Sequence, residues 1–325
     1  MNKIKVLITG GSGFIGTNLM NYFLESGYDL LNIDKVRPKL DSHSTAWKNC
    51  DINHFEPFRN IILNYQPDYI IHLAAKTDLD GRIIEDYTTN TLGVKNLMLI
   101  IKELSCLKKI IITSSMLVCK GGYQPLNQVD YKPNTIYGES KVITEKIVWD
   151  NLPNCDWAII RPTSIWGPWF SVPYRNFFEM IISKKYFHIG DEACTKTYGY
   201  VGNSVFQIKK ILMTDTSEKS NKIFYIGDNP PTNIEDWADE ISKELGLKII
   251  KLPYVIIKGF SYFGDFLKSI KINFPITSFR LKNMTTNNIV NLTNTYQIAK
   301  NPIYSRNEGV KKTLQWMSKF KKVHK

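Results

Sequence analysis

A tyrosine, a lysine and two serines near the middle of the chain have the types and spacing of an acid–base site. Tyr137 and Lys141 form a Y-x-x-x-K pattern, which on a helix predicted over about 135–150 places both side chains on one face. The ammonium is expected to lower the pKa of the phenol toward neutrality, so that Tyr137 acts as a general base on a hydroxyl group. Ser114 and Ser115 directly follow the apolar run KIIIT, a position at which a serine can hold the reacting oxygen by a hydrogen bond. Any one of these residues alone is explained as well by a cap or a solvent-facing side chain.

The stretch TGGSGFIG has the composition of a loop that lets the backbone approach a phosphate group. Its glycines lie between the apolar run KVLIT and a predicted helix: Gly10, Gly11, Gly13 and Gly16. In such a turn the backbone amides and the helix N-terminus face a pyrophosphate. Asp34 ends the next apolar run, where a carboxylate accepts hydrogen bonds from ribose hydroxyls and repels a 2′-phosphate. We therefore expect NAD rather than NADP, although Lys35 and Arg37 follow closely and leave NADP open.

Short apolar runs recur along the chain, each followed by a helix-length segment: KVLIT, DLLNID, YIIHLA, KIIITSS, WAIIRP and KIFYIG. Continuous apolar runs are typical of strands buried on both faces, and the intervening helices make the sheet parallel. The expected fold class is α/β, a doubly wound parallel sheet. After Arg161 the pattern changes to a stretch rich in Pro and Trp. We expect a dinucleotide-binding domain over 1–165 and 196–228, and a smaller substrate domain over 166–195 and 229–325.

The composition is that of a globular protein with an excess of positive charge. The 325 residues carry a formal net charge of +12, part of it in the closing stretch KKTLQWMSKFKKVHK. This charge suits an anionic partner, but no basic and aromatic motif supports nucleic-acid binding. The five cysteines are widely spaced and predict neither disulfides nor a metal site. With no signal-type apolar segment, the expected location is the cytoplasm, with the inner face of the membrane as an alternative.

Together these motifs resemble the extended short-chain dehydrogenase/reductase family, the NAD-dependent sugar epimerases and dehydratases. The resemblance rests on TGGSGFIG, HLAA, TSS, YGESK and RPTSIWGP and covers nearly the whole chain. It implies a catalytic triad of Ser115, Tyr137 and Lys141, and His72 is expected to belong to its strand without a catalytic role. With Tyr137 and Lys141, the residues that the resemblance places around the dinucleotide are Gly10, Gly13, Phe14, Ile15, Gly16, Asp34, Asp51, Ile52, Leu73, Ala74, Ala75 and Asn90.

Two departures from the family's patterns narrow the expected reaction. The family's 4,6-dehydratases carry an Asp-Glu pair after the catalytic hydroxyl residue, whereas Met116 and Leu117 stand there, so elimination of water is not expected. Lys196 replaces an arginine that often meets the substrate phosphates, which keeps the charge but not the bidentate geometry. Arg175 and Arg280 are the other candidates for phosphate binding, each with a plain surface arginine as the alternative.

The second half of the chain resembles the bacterial branch that acts in O-antigen, lipopolysaccharide and surface-polysaccharide assembly. The resemblance lies in YVGN, LPY and ITSFRLKNMTT, and the branch includes epimerases of GlcNAc linked through diphosphate to undecaprenol. We expect a 4-epimerase of an N-acetylhexosamine carried on UDP or on a polyprenyl diphosphate, with Val290 near the position that limits room beside C2. Two alternatives remain: an NAD(P)H-dependent 4-reductase of a nucleotide-linked 4-keto-6-deoxy sugar, and a non-catalytic dinucleotide-binding sensor.

Two surface segments suggest partners other than the substrate. The segment 251–274 mixes lysines with aromatic and aliphatic residues as an interfacial helix does, which predicts a peripheral membrane contact. Packing of a core helix explains the same pattern more simply. The predicted helices over 86–104 and 135–150 resemble those that form the family's dimer bundle, so the resemblance implies a homodimer.

Overall fold

The computed structural model describes residues 3–190, 194–270, 272 and 277–323, which form one large parallel sheet and several short strand pairs. Within these residues the strands are β1 (Lys5–Thr9), β2 (Asp29–Asp34), β3 (Trp47–Asn49), β4 (Tyr69–His72), β5 (Lys109–Thr113), β6 (Asp156–Pro162), β7 (Ser164–Trp166), β8 (Phe187–Ile189), β9 (Thr195–Lys196), β10 (Tyr198–Tyr200), β11 (Ile223–Ile226), β12 (Thr232–Asn233) and β13 (Ile250–Leu252). The large sheet has the order β11-β6-β5-β4-β1-β2-β3, and every pairing in it is parallel. The connections reverse direction between β1 and β4, and ligands bind at such a switch point in this fold class.

The strands of the large sheet are buried on both faces. Val6 and Ile8 of β1 belong to one apolar core and Leu7 to the other, and none of the three is exposed to solvent. Each of the six apolar runs contributes a strand of this sheet, so the predicted doubly wound α/β fold is confirmed. The short strand β3 was not predicted, because its sequence WKN contains no apolar run.

Helices cover both faces of the sheet and build most of the remaining chain. In the described residues they are α1 (Phe14–Glu25), α2 (Phe55–Tyr65), α3 (Thr88–Ile100), α4 (Ile136–Asp150), α5 (Tyr174–Ile182), α6 (Val201–Met213), α7 (Ile234–Glu244), α8 (Tyr254–Ser269), α9 (Ser278–Thr285), α10 (Thr293–Ile298) and α11 (Arg306–Val323). The start of α4 is fixed by Thr135, whose side-chain oxygen accepts a hydrogen bond from the Gly138 amide at 3.0 Å. This cap sets which residues of α4 face the sheet.

The smaller region beyond Arg161 has an aromatic core. The ring of Trp237 lies 5.0 Å from that of Trp166 and 4.7 Å from that of Phe177. Around this cluster lie α5, α7 and the strand pairs β8–β13 and β9–β12. The division into two domains stays a prediction, since the chain passes between the two regions several times.

Helix α10 covers the outer edge of β11, the last strand of the large sheet. Asn294 donates a hydrogen bond to the Ile223 carbonyl and Thr295 donates one to the Tyr225 carbonyl, both at 2.6 Å. These are carbonyl groups that β6, on the other side of β11, does not use. Side chains from near the C-terminal end of the chain therefore close an edge that would otherwise present free acceptors.

Candidate active site

Ser115 lies at the carboxyl end of β5, where it begins a 3₁₀ turn over Met116–Val118. Its side-chain oxygen accepts a hydrogen bond from the Leu117 amide at 3.1 Å, which fixes the hydroxyl at the edge of the sheet. Ser115 also acts on the side chain of Tyr137, because it lowers the pKa of that phenol. The structure thus brings together two of the three predicted catalytic hydroxyl and amine groups at this edge.

Lys141 reaches the same edge from one turn further along α4. Its ammonium donates a hydrogen bond to the Thr113 carbonyl, the last residue of β5, at 3.0 Å. The approach of α4 to the turn after β5 depends on Gly138, because a β-carbon there would lie 2.3 Å from the Leu117 carbonyl oxygen. The predicted helix face is therefore confirmed: Tyr137 and Lys141 are both buried and both directed to the end of β5.

The expected lowering of the pKa of Tyr137 is wrong for the protein by itself. Burial disfavours the phenolate and raises the pKa of Tyr137 to about 12, while the influence of Ser115 opposes this only in part. Sequence spacing identified a cation beside the phenol but not the cost of burying the phenolate. Ionisation of Tyr137 at neutral pH therefore needs additional positive charge in the site, and the oxidised nicotinamide ring of NAD carries such a charge.

Burial also disfavours the charged form of Lys141. It lowers the pKa of this lysine to about 8, and the nearby Glu145 carboxylate opposes the shift. Glu145 is itself fully buried and accepts two hydrogen bonds from Arg161 of β6, at 2.8 and 2.7 Å. This buried ion pair ties α4, which carries Tyr137 and Lys141, to the central sheet.

The glycine loop is held open at the amino end of α1. The helix has Gly13 as its N-cap, with no side chain occupying the first amides. Gly10 adopts a left-handed backbone with φ of 75°, and a β-carbon there would lie 2.6 Å from the Ala74 amide nitrogen. At Gly16 a β-carbon would lie 2.2 Å from the Gly10 carbonyl oxygen. This cradle of bare backbone fits the pyrophosphate of a dinucleotide.

Asp34 stands beside this cradle at the end of β2. One carboxylate oxygen accepts a hydrogen bond from the Ser12 amide at 3.1 Å, and the other accepts one from the Val36 amide at 2.9 Å. The loop is fixed further by Asn32, whose side-chain oxygen accepts from the Gly11 amide. A half-buried carboxylate next to the glycine loop fits the ribose hydroxyls of NAD. The cation that follows, Lys35, pairs with Asp51 at 3.7 Å.

Most of the other residues expected around the dinucleotide follow strands β1, β3 and β4 of the large sheet. Phe14 and Ile15 open α1, Asp51 and Ile52 follow β3, and Leu73, Ala74 and Ala75 follow β4. Asn90 is fully buried and uses its amide inside the protein, accepting from the Lys76 amide and donating to the Lys76 carbonyl and the Ser140 hydroxyl. It therefore holds the loop after β4 against α4. The assignment of all these residues to the cofactor stays a prediction.

His72, the last residue of β4, is part of the sheet as expected. Its Nδ1 lies 2.7 Å from the Thr9 hydroxyl of the neighbouring strand. Burial, with a contribution from the charge on Lys141, lowers the pKa of His72 to about 3. The ring is therefore neutral at physiological pH and adds no further charge to the site.

The expected substrate cations lie in the smaller region. The Lys196 ammonium, on β9, donates to the Asn283 carbonyl of α9, the helix that also carries the exposed Arg280. Val290 lies on the same side, because its amide donates to the Thr197 hydroxyl. Arg175, on α5, instead pairs with Glu179 at 2.8 Å. The structure thus places Lys196 beside α9, the helix that carries Arg280. Phosphate binding by any of the three cations stays a prediction.

Three residues of the site region escaped the sequence analysis. The Tyr87 ring lies 5.9 Å from that of Tyr137, and its hydroxyl donates to the Asp78 carbonyl at 2.8 Å. Tyr174 raises the pKa of Tyr137 and donates a hydrogen bond to Ser164 at 2.7 Å. Neither tyrosine, nor Asn32 of β2, belongs to a pattern with a recognisable spacing. A polar residue inside the apolar run DLLNID was the one available signal, for Asn32.

Comparison with known proteins gives the family of this fold and site. A model of the NAD-dependent epimerase/dehydratase family matches residues 6–227, which include the glycine loop, Asp34 and the Ser115, Tyr137 and Lys141 group. The chain belongs to this family. The protein is therefore an NAD-dependent enzyme, as the sequence motifs predicted.

The proteins similar to this chain include some named as epimerases and some named as dehydrogenases. The chain is 26% identical over 321 residues to the N-acetyl-α-D-glucosaminyl-diphospho-ditrans,octacis-undecaprenol 4-epimerase of Escherichia coli O157:H7, covering 96% of this chain and 94% of the relative. It is 28% identical over 276 residues to a 3β-hydroxysteroid dehydrogenase of Mycolicibacterium neoaurum, covering 78% and 73%. The solved UDP-glucose 4-epimerase of Thermotoga maritima shares the fold with a TM-score of 0.73 at 20% identity, covering 98% and 99%.

Proposed function

We propose that the protein is a 4-epimerase of an N-acetylhexosamine carried on a diphosphate. The observation that carries this proposal is the composition of the turn after β5. Ser115 is followed by Met116 and Leu117, so Tyr137 has no acidic neighbour in this turn that could transfer a second proton. One acid–base group suits a reaction that removes and returns a hydrogen at a single carbon, whereas dehydration needs a further acid and base.

In the proposed reaction Tyr137 removes the proton of the sugar 4-hydroxyl and later returns it. Ser115 holds that oxygen, and Lys141 supplies positive charge that favours the phenolate. Bound NAD would accept the hydride from C4 and give it back, which makes the reaction redox-neutral overall. The turn of the 4-keto sugar between the two steps presents its other face to the returning hydride.

The carrier that we favour is a polyprenyl diphosphate. The support is the similarity over almost the full length of both chains to an epimerase that is named for an undecaprenol-linked substrate. Lys196 and Arg280 are the proposed contacts of the diphosphate, and Val290 leaves room for the N-acetyl group. Such an enzyme would act as a homodimer in surface-polysaccharide assembly at the inner face of the membrane.

A paired incubation tests the proposal. The purified protein is given UDP-GlcNAc or polyprenyl-diphospho-GlcNAc, and the configuration at C4 is followed by NMR together with absorbance at 340 nm. We expect inversion without net change in absorbance, faster with the polyprenyl substrate. Tyr137→Phe should lower the rate by about 10³-fold while NAD binding, measured by calorimetry, is retained. Unchanged activity in Tyr137→Phe would instead favour the non-catalytic sensor.

A net oxidation or reduction is the second candidate. The similarity to a hydroxysteroid dehydrogenase favours it, because a dehydrogenase transfers a hydride without returning it to the product. A steady change at 340 nm with a lipid alcohol, or with a 4-keto-6-deoxy sugar and reduced cofactor, would replace the epimerase proposal.

A further inference from the structure

Helix α8 directs most of its large apolar side chains outward, toward solvent. Ile257, Ser261 and Gly264 form the buried face. Six of its large apolar side chains are exposed to solvent by 49 to 78%: Val255, Ile256, Phe260, Tyr262, Phe263 and Phe266. A helix that packs only against its own domain has the opposite arrangement. The expectation that core packing explains this segment is therefore wrong for its aromatic residues.

The exposed side chains form one continuous surface, which we call the aromatic face of α8. With about 100° between successive residues, Val255, Tyr262 and Phe266 fall within about 40° of one another around the helix axis. Phe263 and Ile256 lie next to them on one side. Ile270, which follows the helix, is also 52% exposed. Exposed apolar surfaces of this kind mark sites where another apolar phase is contacted.

Cations lie on this helix and beside the strand pair that precedes it in the chain. Lys258 lies on α8 itself and is exposed. Lys184, Lys185 and Lys248 are exposed as well and line one cavity beside the β8–β13 strand pair. That pair leads directly into α8, since Pro253 separates the end of β13 from the first helical residue.

Aromatic residues next to lysines are complementary to an anionic lipid surface. The rings suit the boundary between headgroups and acyl chains, and each lysine near the surface adds attraction to anionic lipids. A second copy of the chain is a poorer occupant of this face, because each copy would bring the same lysines to the contact. Among the residues that the structure describes, no helix has the length and apolarity to cross a bilayer.

We propose that α8 docks flat on an anionic bilayer, with its aromatic face in the headgroup boundary and the neighbouring lysines against the headgroups. The inference deepens the proposed function and rests on it in one respect: a sugar on a polyprenyl diphosphate is held at such a surface, within reach of a docked enzyme. The docking itself needs neither sugar nor cofactor, so it is measured without them.

Vesicle flotation with the full-length protein tests the docking. We expect the protein to float with vesicles that mix phosphatidylglycerol into phosphatidylcholine, to float much less with phosphatidylcholine alone, and to be released by salt. Val255→Glu/Tyr262→Glu should lower the bound fraction by about tenfold, since it places two anions in the aromatic face. The matched control, Leu126→Glu/Leu152→Glu, changes two apolar residues that are also exposed and should float like the wild type.

Three outcomes would overturn the docking. They are absence of flotation with every vesicle, equal flotation of Val255→Glu/Tyr262→Glu and wild type, and a wild-type oligomer in sedimentation that this variant loses. If the helix variant does not fold, Lys184→Ala/Lys185→Ala replaces it, with a several-fold loss on phosphatidylglycerol vesicles expected and no loss contradicting the proposal. Epimerisation of UDP-GlcNAc in the absence of vesicles is assayed in parallel, so that failure of docking and failure of the proposed reaction are separated.

Discussion

Burial governs the charge state of both titratable groups at the end of β5. It raises the pKa of Tyr137 to about 12 and lowers that of Lys141 to about 8, so each group is pushed toward its neutral form. The two shifts have different consequences at neutral pH. Tyr137 is neutral, the form that burial favours, whereas Lys141 is mostly charged although burial disfavours its charged form.

Removal of the buried cation should therefore stabilise the fold. The unfolded chain holds the Lys141 proton up to its ordinary pKa of 10.5 and the folded chain only up to about 8. Stability contributed by this residue is lowest below pH 8 and rises between about 8 and 10.5. We expect Lys141→Met to abolish activity and to raise the free energy of unfolding at pH 7 by about 1–2 kcal/mol, allowing for the lost hydrogen bond to Thr113.

Chemical denaturation at pH 7 and pH 9.5 measures both the gain and its pH dependence. The gain should shrink at the higher pH, where wild-type Lys141 is neutral. Lys146→Met, on the exposed side of the same helix, is the control and should change stability little. A Lys141→Met protein that is less stable than wild type at pH 7 would contradict the argument.

At the scale of elements, the glycine loop requires Gly10 because neighbouring backbone approaches it closely, and not only because its own backbone is left-handed. Gly10 and Gly27 both have positive φ, 75° and 80°, but only Gly10 has neighbours within reach of a β-carbon. We expect Gly27→Ala to cost about 1 kcal/mol from backbone strain, with NAD binding intact. Gly10→Ala should cost more and should abolish NAD binding measured by calorimetry, because the glycine loop and the loop after β4 must separate. Equal NAD affinity in the two variants would count against this view of the loop.

Breaking the ion pair between α4 and β6 should lower the free energy of unfolding far more than breaking an exposed pair of the same chemistry. Arg161 and Glu145 are 1% and 0% exposed, whereas the Arg59–Glu103 pair, also bidentate, lies at the surface. We expect Arg161→Met to lower the free energy of unfolding by about 3–5 kcal/mol and Arg59→Met to leave it nearly unchanged. Arg161→Met/Glu145→Leu should recover most of the loss in urea denaturation. A double variant no more stable than Arg161→Met would show that packing, and not the unpaired carboxylate, dominates.

At the scale of the whole molecule, α3 presents two exposed leucines on the surface expected to form a dimer. Leu92 and Leu99 are seven residues apart, on one side of the helix, and are 40% and 43% exposed. We expect a homodimer in sedimentation velocity at micromolar concentration and dissociation in Leu92→Glu/Leu99→Glu. Leu24→Glu, similarly exposed on α1, should leave the dimer intact. A monomeric wild-type protein would end this proposal.

The parts of the molecule predicted from sequence are those encoded locally. The six apolar runs, the glycine loop and the Tyr137–Lys141 spacing each occupy a few consecutive residues, and all appear in the structure as expected. What could not be predicted depends on residues distant along the chain. The pKa of Tyr137 depends on its burial, and the roles of Asn32, Tyr87 and Tyr174 depend on neighbours that no local pattern reveals. The outward direction of the rings on α8 was hidden for the same reason, since sequence alone does not tell which face is covered.

The cover that α10 gives to β11 has a consequence for synthesis on the ribosome. About 70 residues separate Ile226 from Ile298, so the sheet can assemble several seconds before the helix that closes its edge has been translated. During that interval nascent chains on neighbouring ribosomes expose the same bare strand edge to one another. Overexpression should therefore favour inclusion bodies, and a lower rate of translation initiation, which spaces the ribosomes further apart, should raise the soluble yield.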